Sequence, residues 1–208
     1  ACSRVIRGKK IISGYLPYQR HQRAINSKHS TNMKTIETQR LLLRPWSMDD
    51  AELLFALAQD PDVGPRAGWP PHQSVDESRE VIRTVFANDH TWAIVLKETD
   101  ELIGCIGYYT HEESNIGIGE MDAELGYWIG KPYWNRGLCT EALRAMVDHC
   151  FNTVGYETLW SDYFVDNPAS GRVMEKCGFR DTGEVNWLSH LYRGDERPVK
   201  VMRLDYAL

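Results

Sequence analysis

A turn that runs directly into a helix is the first part of the sequence whose residues could do chemistry. Residues 133–146 read YWNRGLCTEALRAM, and Gly137 stands where the turn should lie. The first main-chain N–H groups of a helix have no partner within it, and the helix dipole places partial positive charge at the same end. The segment therefore predicts an anion site that would suit a phosphate, although every helix start shares part of this character.

Two common phosphate motifs do not fit this segment. No Lys follows Gly137 as a Walker loop requires, and the chain contains no G-x-G-x-x-G. Sites for nucleoside triphosphates and for dinucleotides are therefore disfavoured. No metal site is expected either, because His111, Glu112 and Glu113 lack the i,i+4 helical spacing of a ligand set.

The elements that must position this turn follow from hydrophobic periodicity and from Pro, Gly and capping residues. The predicted strands are 35–46, 91–97, 101–111, 121–130, 156–165 and two closing strands within 179–206, on either side of a turn at Arg193, Gly194 and Asp195. The predicted helices are 48–58, 74–88, 136–154 and 167–177, the first two opened by capping signatures at Ser47 and Ser74, with residues 60–71 as a Pro- and Gly-rich loop between them. This order predicts an α+β fold, a mixed sheet with helices packed against it.

The composition is that of an ordinary folded chain of one domain. Of the 208 residues, 42% are hydrophobic and 25% are charged, which suffices for a well-filled core. No run of about 18 apolar residues occurs to span a membrane, and the first residues lack the apolar core of a secretory signal. Five cysteines without a C-x-x-C pair argue against a disulfide framework and a zinc knuckle. A cytoplasmic protein with reduced thiols is expected.

Charge divides the chain into a basic leader and an acidic body. Residues 1–32 contain seven Lys and Arg and no acid, so the net charge of −5 leaves −12 for residues 33–208. An acidic body is a poor partner for nucleic acid and suits a cationic amine. Residues 1–32 are interpreted as a basic N-terminal extension outside the fold, and the alternative is an arm that contacts RNA or a ribosome.

Three motifs resemble those of one family and occur in its order. They are T-x-R-L-x-L-R-P-W at 38–46, ELGYWI at 124–129 followed by YWNRGLCTEA at 133–142, and NPASGRVMEKCGF at 167–179. With this set the chain resembles the GNAT superfamily of N-acetyltransferases and, within it, the RimJ/RimL-like branch. The resemblance implies a single acetyltransferase domain over 33–208, with acetyl-CoA as donor and an amine as acceptor. It also implies a mostly antiparallel sheet of about seven strands, splayed between strands 4 and 5 and flanked by four helices.

The resemblance gives the turn at Gly137 a specific role. The family's pyrophosphate loop reads Q/R-x-x-G-x-G/A, which places Trp134, Gly137 and Cys139 at its defined positions. Cys139 differs from the Gly or Ala of this motif, but the position requires only a side chain small enough to let the backbone approach the phosphates. A reactive Cys139 is the alternative, because a helix start lowers a thiol's pKa, yet direct transfer to an amine needs no acyl-enzyme. The implied cofactor contacts are Trp134, Asn135, Arg136, Gly137, Leu138, Cys139 and Thr140.

The strand before this loop is implied to hold the pantetheine arm of CoA. Its main chain at Tyr127, Trp128 and Ile129 would pair with the amide groups of the arm. One of the N–H groups would also stabilise the oxyanion of the transition state, a contribution of about 3 kcal/mol. The alternative is that the strand only fills the core. Both interpretations can hold, since the main chain binds while the side chains pack.

An acceptor amine must lose a proton before it attacks, because amines of pKa ~8 to ~10 are mostly protonated near neutral pH. The resemblance makes Glu124 the first candidate for the base. Glu120 and Asp122 are alternatives on the same side of a regular strand, and they could instead attract a cationic acceptor by their charge. A simpler interpretation is that all three are solvated acids.

The usual proton donor of the family is missing. Its tyrosine, four residues before the G-F pair, is replaced by Met174. Ser170 matches a serine that the RimL-like branch offers instead, as a proton donor or as a residue that positions water; the alternative is an ordinary helix serine. Asn167 is implied as the N-cap of the same helix and as a hydrogen-bond partner of the CoA arm.

The acceptor is implied to lie beneath the first two helices and the loop between them, where Trp69 would either line the pocket or anchor the core. The expected activity is transfer of an acetyl group to a primary amine, a protein N-terminus or a small amine, by direct attack in a ternary complex. A non-catalytic acetyl-CoA-binding module and a ribosome- or RNA-associated protein are the alternatives. No metal, membrane or nucleic-acid partner is expected, and the chain is predicted to be a monomer or a homodimer.

Overall fold

An eight-stranded sheet organises residues 33–189 and 195–206, the part of the chain that the computed structural model describes. The predicted extension over 1–32, and Arg193 and Gly194 of the predicted closing turn, lie outside these residues. The strands are β1 (Ile36–Glu37), β2 (Leu41–Pro45), β3 (Thr91–Leu96), β4 (Glu101–Tyr109), β5 (Asp122–Ile129), β6 (Thr158–Phe164), β7 (Arg180–Ser189) and β8 (Glu196–Asp205). Their spatial order is β1-β2-β3-β4-β5-β6-β8-β7.

The pair β5–β6 is the parallel pair of this otherwise antiparallel sheet. Its pairing covers only Asp122–Glu124 against Thr158–Trp160, although β5 continues to Ile129 and β6 to Phe164. The two strands therefore separate at their carboxyl ends and leave a gap in the sheet. The predicted splay between strands 4 and 5 is this gap, numbered differently because the first predicted strand is two strands in the structure.

Five α-helices flank the sheet in the described residues. They are α1 (Ala51–Ala58), α2 (Gly64–Ala67), α3 (Val75–Val81), α4 (Leu138–Asp148) and α5 (Pro168–Lys176). Wider π-helical turns continue α3 over Ile82–Phe86 and α4 over His149–Val154. Short 3₁₀ turns precede α1 at Met48–Asp50 and α4 at Lys131–Tyr133. The predicted capping signatures are confirmed, since Ser47 and Asp50 form a capping box and the Ser74 hydroxyl accepts from the N–H of Glu77.

The helices pack on opposite faces of the sheet. On one face, α4 buries Leu138, Leu143 and Met146 against the strands, with Met174 of α5 in the same cluster. Burial contributes about 1.5 to 3 kcal/mol for each large apolar side chain. On the other face, α1 and α3 bury Leu54 and Val81 against β3 and β4 in a smaller cluster. No helix of the described residues is long and apolar enough to cross a membrane.

Two sequence predictions of local structure were wrong. Residues 35–46 do not form one strand, because the chain turns between β1 and β2 where Thr38 and Arg40 bind the Glu141 carboxylate of α4. The predicted loop over 60–71 contains the helix α2, which ends at Gly68 in the left-handed region (φ 96°). Both errors come from contacts or turns that hydrophobic periodicity does not report.

Candidate active site

A cavity of about 610 Å³ lies at the gap between β5 and β6. Its walls come from both strands, from the starts of α4 and α5, and from the helices α1 to α3 on the other face. Most of the predicted site residues line it: Trp69, Glu124, Tyr127, Trp128, Ile129, Trp134, Asn135, Gly137, Leu138, Cys139, Thr140, Asn167 and Ser170. The fold thus brings the second and third sequence motifs, together with Trp69, to one space.

The loop before α4 presents main-chain N–H groups to this cavity. Asn135 (φ 60°) and Gly137 (φ 75°) both adopt the left-handed conformation, and Gly137 is the N-cap of α4. Glycine adopts this conformation without strain, whereas most residues do not. Among the described residues, no group accepts a hydrogen bond from the N–H of Leu138, Cys139 or Thr140. These donors lie at the positive end of the helix dipole, at the place where the sequence predicts an anion cradle.

Contacts from the start of the fold hold the loop in place. The Arg40 guanidinium donates to the Glu141 carboxylate at 2.6 Å and to the Arg136 carbonyl at 3.0 Å. The Trp134 indole N–H donates to the Ile129 carbonyl at 2.6 Å, which ties the loop to the end of β5. The role of Glu141 was not predicted, because its partners lie about a hundred positions away in the sequence and only the fold brings them together.

Cys139 lies in the cradle with a half-buried side chain. Burial, together with the neighbouring Cys177 thiol, raises the pKa of its thiol to about 12. A thiol with this pKa is almost entirely protonated at neutral pH, and the thiolate is the nucleophilic form. The electrostatics therefore favour a packing role for Cys139 over the nucleophilic alternative.

Glu124 is a buried carboxylate at the point where β5 leaves β6. Its side chain is 4% exposed and lines the cavity. Burial raises its pKa, while hydrogen bonds to Oε2 from the Ser114 hydroxyl (2.7 Å) and the Asn115 N–H (2.9 Å) oppose part of that effect. A carboxylate whose pKa is raised toward neutrality accepts a proton more readily, which is the property of a general base.

Ser170 and Tyr127 form a hydroxyl pair between α5 and β5. The Ser170 Oγ lies 3.1 Å from the Tyr127 hydroxyl, which also donates to the Ser170 carbonyl at 3.0 Å. Burial holds the pKa of the Tyr127 phenol well above its ordinary value, so it stays protonated. The sequence predicted both residues near the cofactor but did not predict that their side chains touch.

Trp69 and Asn167 lie on the two sides of the cavity. The Trp69 ring meets the Trp128 ring edge-on at 5.6 Å, and a side chain at Gly64 would clash with it, since an added Cβ would lie 2.4 Å from the indole. Trp69 thus lines the cavity and packs against the core cluster of α1 and α3. Asn167 occupies the N-cap position of α5 without a side-chain capping bond, and its amide donates to the Arg66 carbonyl at 3.2 Å.

Three other predicted residues lie outside this lining. The Asp122 carboxylate accepts from the Trp160 indole N–H at 2.9 Å and from the Gly119 N–H at 3.0 Å. Glu120 is exposed in the turn before β5, and Arg136 lies on the outer side of the loop with its carbonyl bound to Arg40. In residues 33–189 and 195–206, no group of three or more His, Cys, Asp and Glu is placed to hold a metal ion.

Asp162 of β6 is among the cavity residues that the sequence did not predict, and it is the one whose carboxylate bears on the chemistry beside Glu124. Its Oδ2 atom is buried, and no group among the described residues hydrogen-bonds to it. Burial and the nearby Glu124 charge raise its pKa well above the usual range. In the sequence, Asp162 reads as the polar member of an alternating strand, because the gap beside it is visible only in the fold.

Comparison with known proteins assigns a class to this combination of fold and cavity. A family model described as the acetyltransferase (GNAT) domain matches residues 40–180. The chain therefore belongs to the GNAT acetyltransferase family and is an N-acetyltransferase, which confirms the resemblance seen in its motifs.

Individual relatives agree with this family. The chain is 31% identical over 153 residues to the uncharacterized N-acetyltransferase YoaA of Bacillus subtilis, covering 71% of this chain and 84% of that protein. It is 30% identical over 116 residues to the ribosomal-protein-serine acetyltransferase of Escherichia coli, covering 53% of this chain and 62% of the relative.

Solved structures share the fold. A GNAT-family acetyltransferase from Bacillus anthracis superposes with a TM-score of 0.71 at 20% identity, covering 83% of this chain and 98% of that one. The acetyltransferase MccE, solved with acetyl-CoA and AMP, gives a TM-score of 0.68 at 18% identity, covering 81% of this chain and 94% of its own. The mixed α+β fold with its mostly antiparallel sheet is thereby confirmed.

Proposed function

We propose that this protein transfers an acetyl group from acetyl-CoA directly to a primary amine while both substrates are bound. The observation that carries the proposal is the single cavity that joins the open N–H groups of α4, the free edge of β5 and the buried Glu124. A thioester bound along the N–H groups of α4 and the free edge of β5 would bring its reactive carbonyl to Glu124. Proximity of this kind accounts for a large part of enzymatic rate enhancement.

The donor would be held chiefly by main chain. Its pyrophosphate would lie on the N–H groups at the start of α4, and its pantetheine arm would run into the gap along β5. The Ser161 hydroxyl already donates to the Leu125 carbonyl at the β6-facing edge of β5. By the two-residue repeat of a strand, the N–H and carbonyl of Tyr127 face that same open edge. They are therefore available to the amide groups of the arm or to the developing oxyanion.

Glu124 would act as the base of the transfer. It takes a proton from the acceptor nitrogen, which then forms the C–N bond to the acetyl carbonyl carbon as the C–S bond of the thioester breaks. Ser170, with Tyr127 behind it, passes to the departing thiolate the second proton that the nitrogen loses as the amide forms, directly or through a water molecule. The proton on Glu124 returns to solvent, so the step leaves an amide and a free thiol.

The acceptor side would be formed by α1 to α3, with Trp69 and Trp128 as aromatic walls. The relative that acts on a ribosomal-protein serine supports a protein N-terminus as acceptor, and a small amine fits the same chemistry. Glu120 and Asp122, which lie outside the cavity lining, would act on the acceptor only at a distance through their charge.

An acceptor panel tests this proposal. Purified protein with acetyl-CoA and peptides, polyamines, aminoglycosides and amino-acid derivatives should release free thiol and yield an acetylated product of the expected mass with at least one amine. Binding of acetyl-CoA without turnover of any amine would instead support the non-catalytic acetyl-CoA-binding module.

A further inference from the structure

Asp162 is a carboxylate for which the transfer just described has no role. The register pairs Glu124 with Trp160, so the two side chains point to the same face of the sheet. Asp162 lies two residues further along β6 and shares that face. It therefore stands beside Glu124, just past the point where the strands separate.

The space opposite Asp162 is kept open by a glycine. Continued pairing would place Gly126 across from it, but the register ends at Glu124. A side chain at Gly126 would meet the Tyr109 ring, since an added Cβ would lie 3.0 Å from its Cε2. With glycine there, the Tyr109 ring closes the back of this space, and the Asp162 carboxylate is left facing the cavity.

An unpartnered buried carboxylate is costly to a folded protein, because a carboxylate taken out of water needs hydrogen bonds or a counter-charge. Asp162 has neither in the described part of the chain: its Oδ2 is buried without a hydrogen bond, and no ion pair there includes it. Without a ligand the group lowers this cost by taking up a proton, in line with its raised pKa, and a ligand that brings the missing donor lets it bind as the carboxylate. Because Glu124 lies beside Asp162, the donor group of the ligand must be able to hydrogen-bond to both carboxyl groups at once.

The cations that line the cavity are committed to other places. The Arg66 guanidinium lies over the Trp134 ring at 5.5 Å, and His90 lies 3.4 Å from the Glu113 carboxylate. His72 lies with its Nδ1 2.7 Å from the Ser78 hydroxyl, and burial lowers its pKa, which favours the neutral imidazole. The Arg172 and Lys176 side chains belong to α5, on the face of the sheet opposite Asp162. The positive charge that complements Glu124 and Asp162 therefore has to come from the acceptor.

We propose that Asp162 and Glu124 together form the seat of the acceptor's ammonium group, so that the acceptor is a cationic primary amine with no carboxylate on the adjoining carbon. This inference rests on the proposed acetyl transfer and names the substrate class of the same site. A peptide N-terminus, a polyamine or a lysine side chain meets the requirement. A free amino acid does not, because its own carboxylate would be held against two others of the same charge.

The seat also gives a complete account of the protons. The acceptor arrives as an ammonium that donates to both carboxylates. One proton passes to Glu124 and on to solvent, which leaves a neutral amine still hydrogen-bonded to Asp162. The amine attacks, the C–N bond forms, the C–S bond breaks, and the second proton ends on the thiol of CoA. Each turnover of a cationic acceptor therefore releases one proton to solution.

The test compares alaninamide with alanine as acceptors, two probes of nearly equal size of which only alanine carries a carboxylate on the carbon next to the amine. Because their amines also differ in pKa, kcat/KM is compared per neutral amine. With saturating acetyl-CoA, wild type should prefer alaninamide by more than about tenfold in kcat/KM. Asp162→Asn should lower kcat/KM for alaninamide by about 10- to 100-fold, mostly through KM, because the contact is made to the bound ammonium before reaction. The same variant should narrow the preference over alanine and leave the Kd of acetyl-CoA unchanged.

Asp181→Asn is the matched control, since Asp181 is paired with Lys200 in β7 and lies outside the cavity lining. It should behave as wild type. Equal use of the two probes by wild type, or an unchanged preference in Asp162→Asn, would overturn the ammonium seat while leaving acetyl transfer intact. Turnover of no amine by any of the proteins would remove the proposed function and the seat with it. If the Asn variant does not fold, Asp162→Ser gives the same comparison without the charge.

Discussion

The two sides of the cavity differ in the groups that they present, main-chain groups on one side and side chains on the other. On the proposed donor side, the start of α4 and the free edge of β5 offer main-chain groups, and side chains such as Arg40 and Glu141 hold the backbone in place. On the proposed acceptor side, the groups that face the cavity are side chains: the buried Glu124, the unpartnered Asp162 and the aromatic wall of Trp69.

This difference explains why the sequence motifs predict the donor but do not predict the acceptor. Main-chain binding needs only a backbone conformation, which Gly137 and the strand pattern report, and it tolerates a change such as Cys139 at a small-residue position. Recognition by side chains depends on which residues the fold brings together. The family therefore indicates the donor, whereas under our proposal the acceptor is selected by residues such as Asp162 that no motif marks.

Glu124→Gln should give the largest effect on activity, and it should do so without changing the binding of the donor. The amide keeps the shape but cannot take a proton, so kcat should fall by about 10²- to 10⁴-fold. The Kd of acetyl-CoA, measured by calorimetry, should stay at the wild-type value because the donor is held elsewhere. Glu112→Gln, an exposed change outside the cavity lining, is the control. A fully active Gln variant would remove Glu124 as the base.

Gly137→Ala should damage the donor side alone. The added Cβ has room, with its nearest neighbour the Arg40 guanidinium at 3.7 Å, so its effect is on the backbone. A left-handed conformation costs a non-glycine residue about 1 to 2 kcal/mol, which predicts a Kd for acetyl-CoA weaker by about 5- to 30-fold.

Gly155→Ala is the matched control for this change. Gly155 is also left-handed (φ 93°) with open space around it, but it follows the far end of the α4 helix. The control should lose similar stability and keep wild-type affinity. Equal affinities in the two variants would show that the loop conformation does not hold the cofactor.

Ser170→Ala should lower the rate less than Glu124→Gln does. Ser170 lies where the donor and acceptor sides of the cavity meet. Losing one hydrogen-bonding hydroxyl beside Tyr127 is expected to lower kcat by about 2- to 10-fold, since neutral hydrogen bonds contribute about 0.5 to 1.5 kcal/mol. The KM of the acceptor should not change. Ser170→Thr keeps a hydroxyl and should restore most of the rate; a Thr variant as slow as Ala would indicate packing rather than proton supply.

The smallest expected effect is on stability, where Asp162→Asn should give a gain that depends on pH. The folded-state pKa of Asp162 is raised, so its contribution to stability is present below the unfolded pKa near ~4 and is lost as pH rises through the folded value. The variant should therefore melt at a higher temperature than wild type at pH 8. About 1 kcal/mol corresponds to about 2 to 4 °C for a chain of this size, and the difference should shrink toward pH 4.

Thermal melts of wild type and Asp162→Asn from pH 4 to pH 8 measure this difference, with Asp181→Asn as the control. Asp181 has a lowered pKa from its pairing with Lys200, so its removal should change stability in the opposite direction. A loss of stability in Asp162→Asn at pH 8 would show that the carboxylate has a partner in the folded protein.

Sequence reasoning succeeded where a local pattern fixes a local structure. The capping residues Ser47 and Ser74, the hairpin of β3 and β4, and the turn at Gly137 are of this kind, and the structure contains all of them. The order of these elements was enough to predict the fold class, whereas the gap in the sheet was implied by the resemblance to the family.

It failed where the cause is distant in the sequence. The break between β1 and β2 follows from the binding of Arg40 to Glu141, 101 positions away. The contact between Tyr127 and Ser170 depends on how α5 packs on β5, and the burial of Asp162 depends on where β5 and β6 part. None of these is encoded in the periodicity of a single segment, which is why the acceptor side was the harder half to predict.

The order of the chemistry is the most direct test of direct transfer in a ternary complex. Initial rates should be measured while both acetyl-CoA and an active amine from the panel are varied. We predict lines that intersect in double-reciprocal plots, because both substrates must be bound before the C–N bond forms. Parallel lines, with an acetyl group found on Cys139 when acetyl-CoA is supplied alone, would contradict the account and restore the acyl-enzyme alternative.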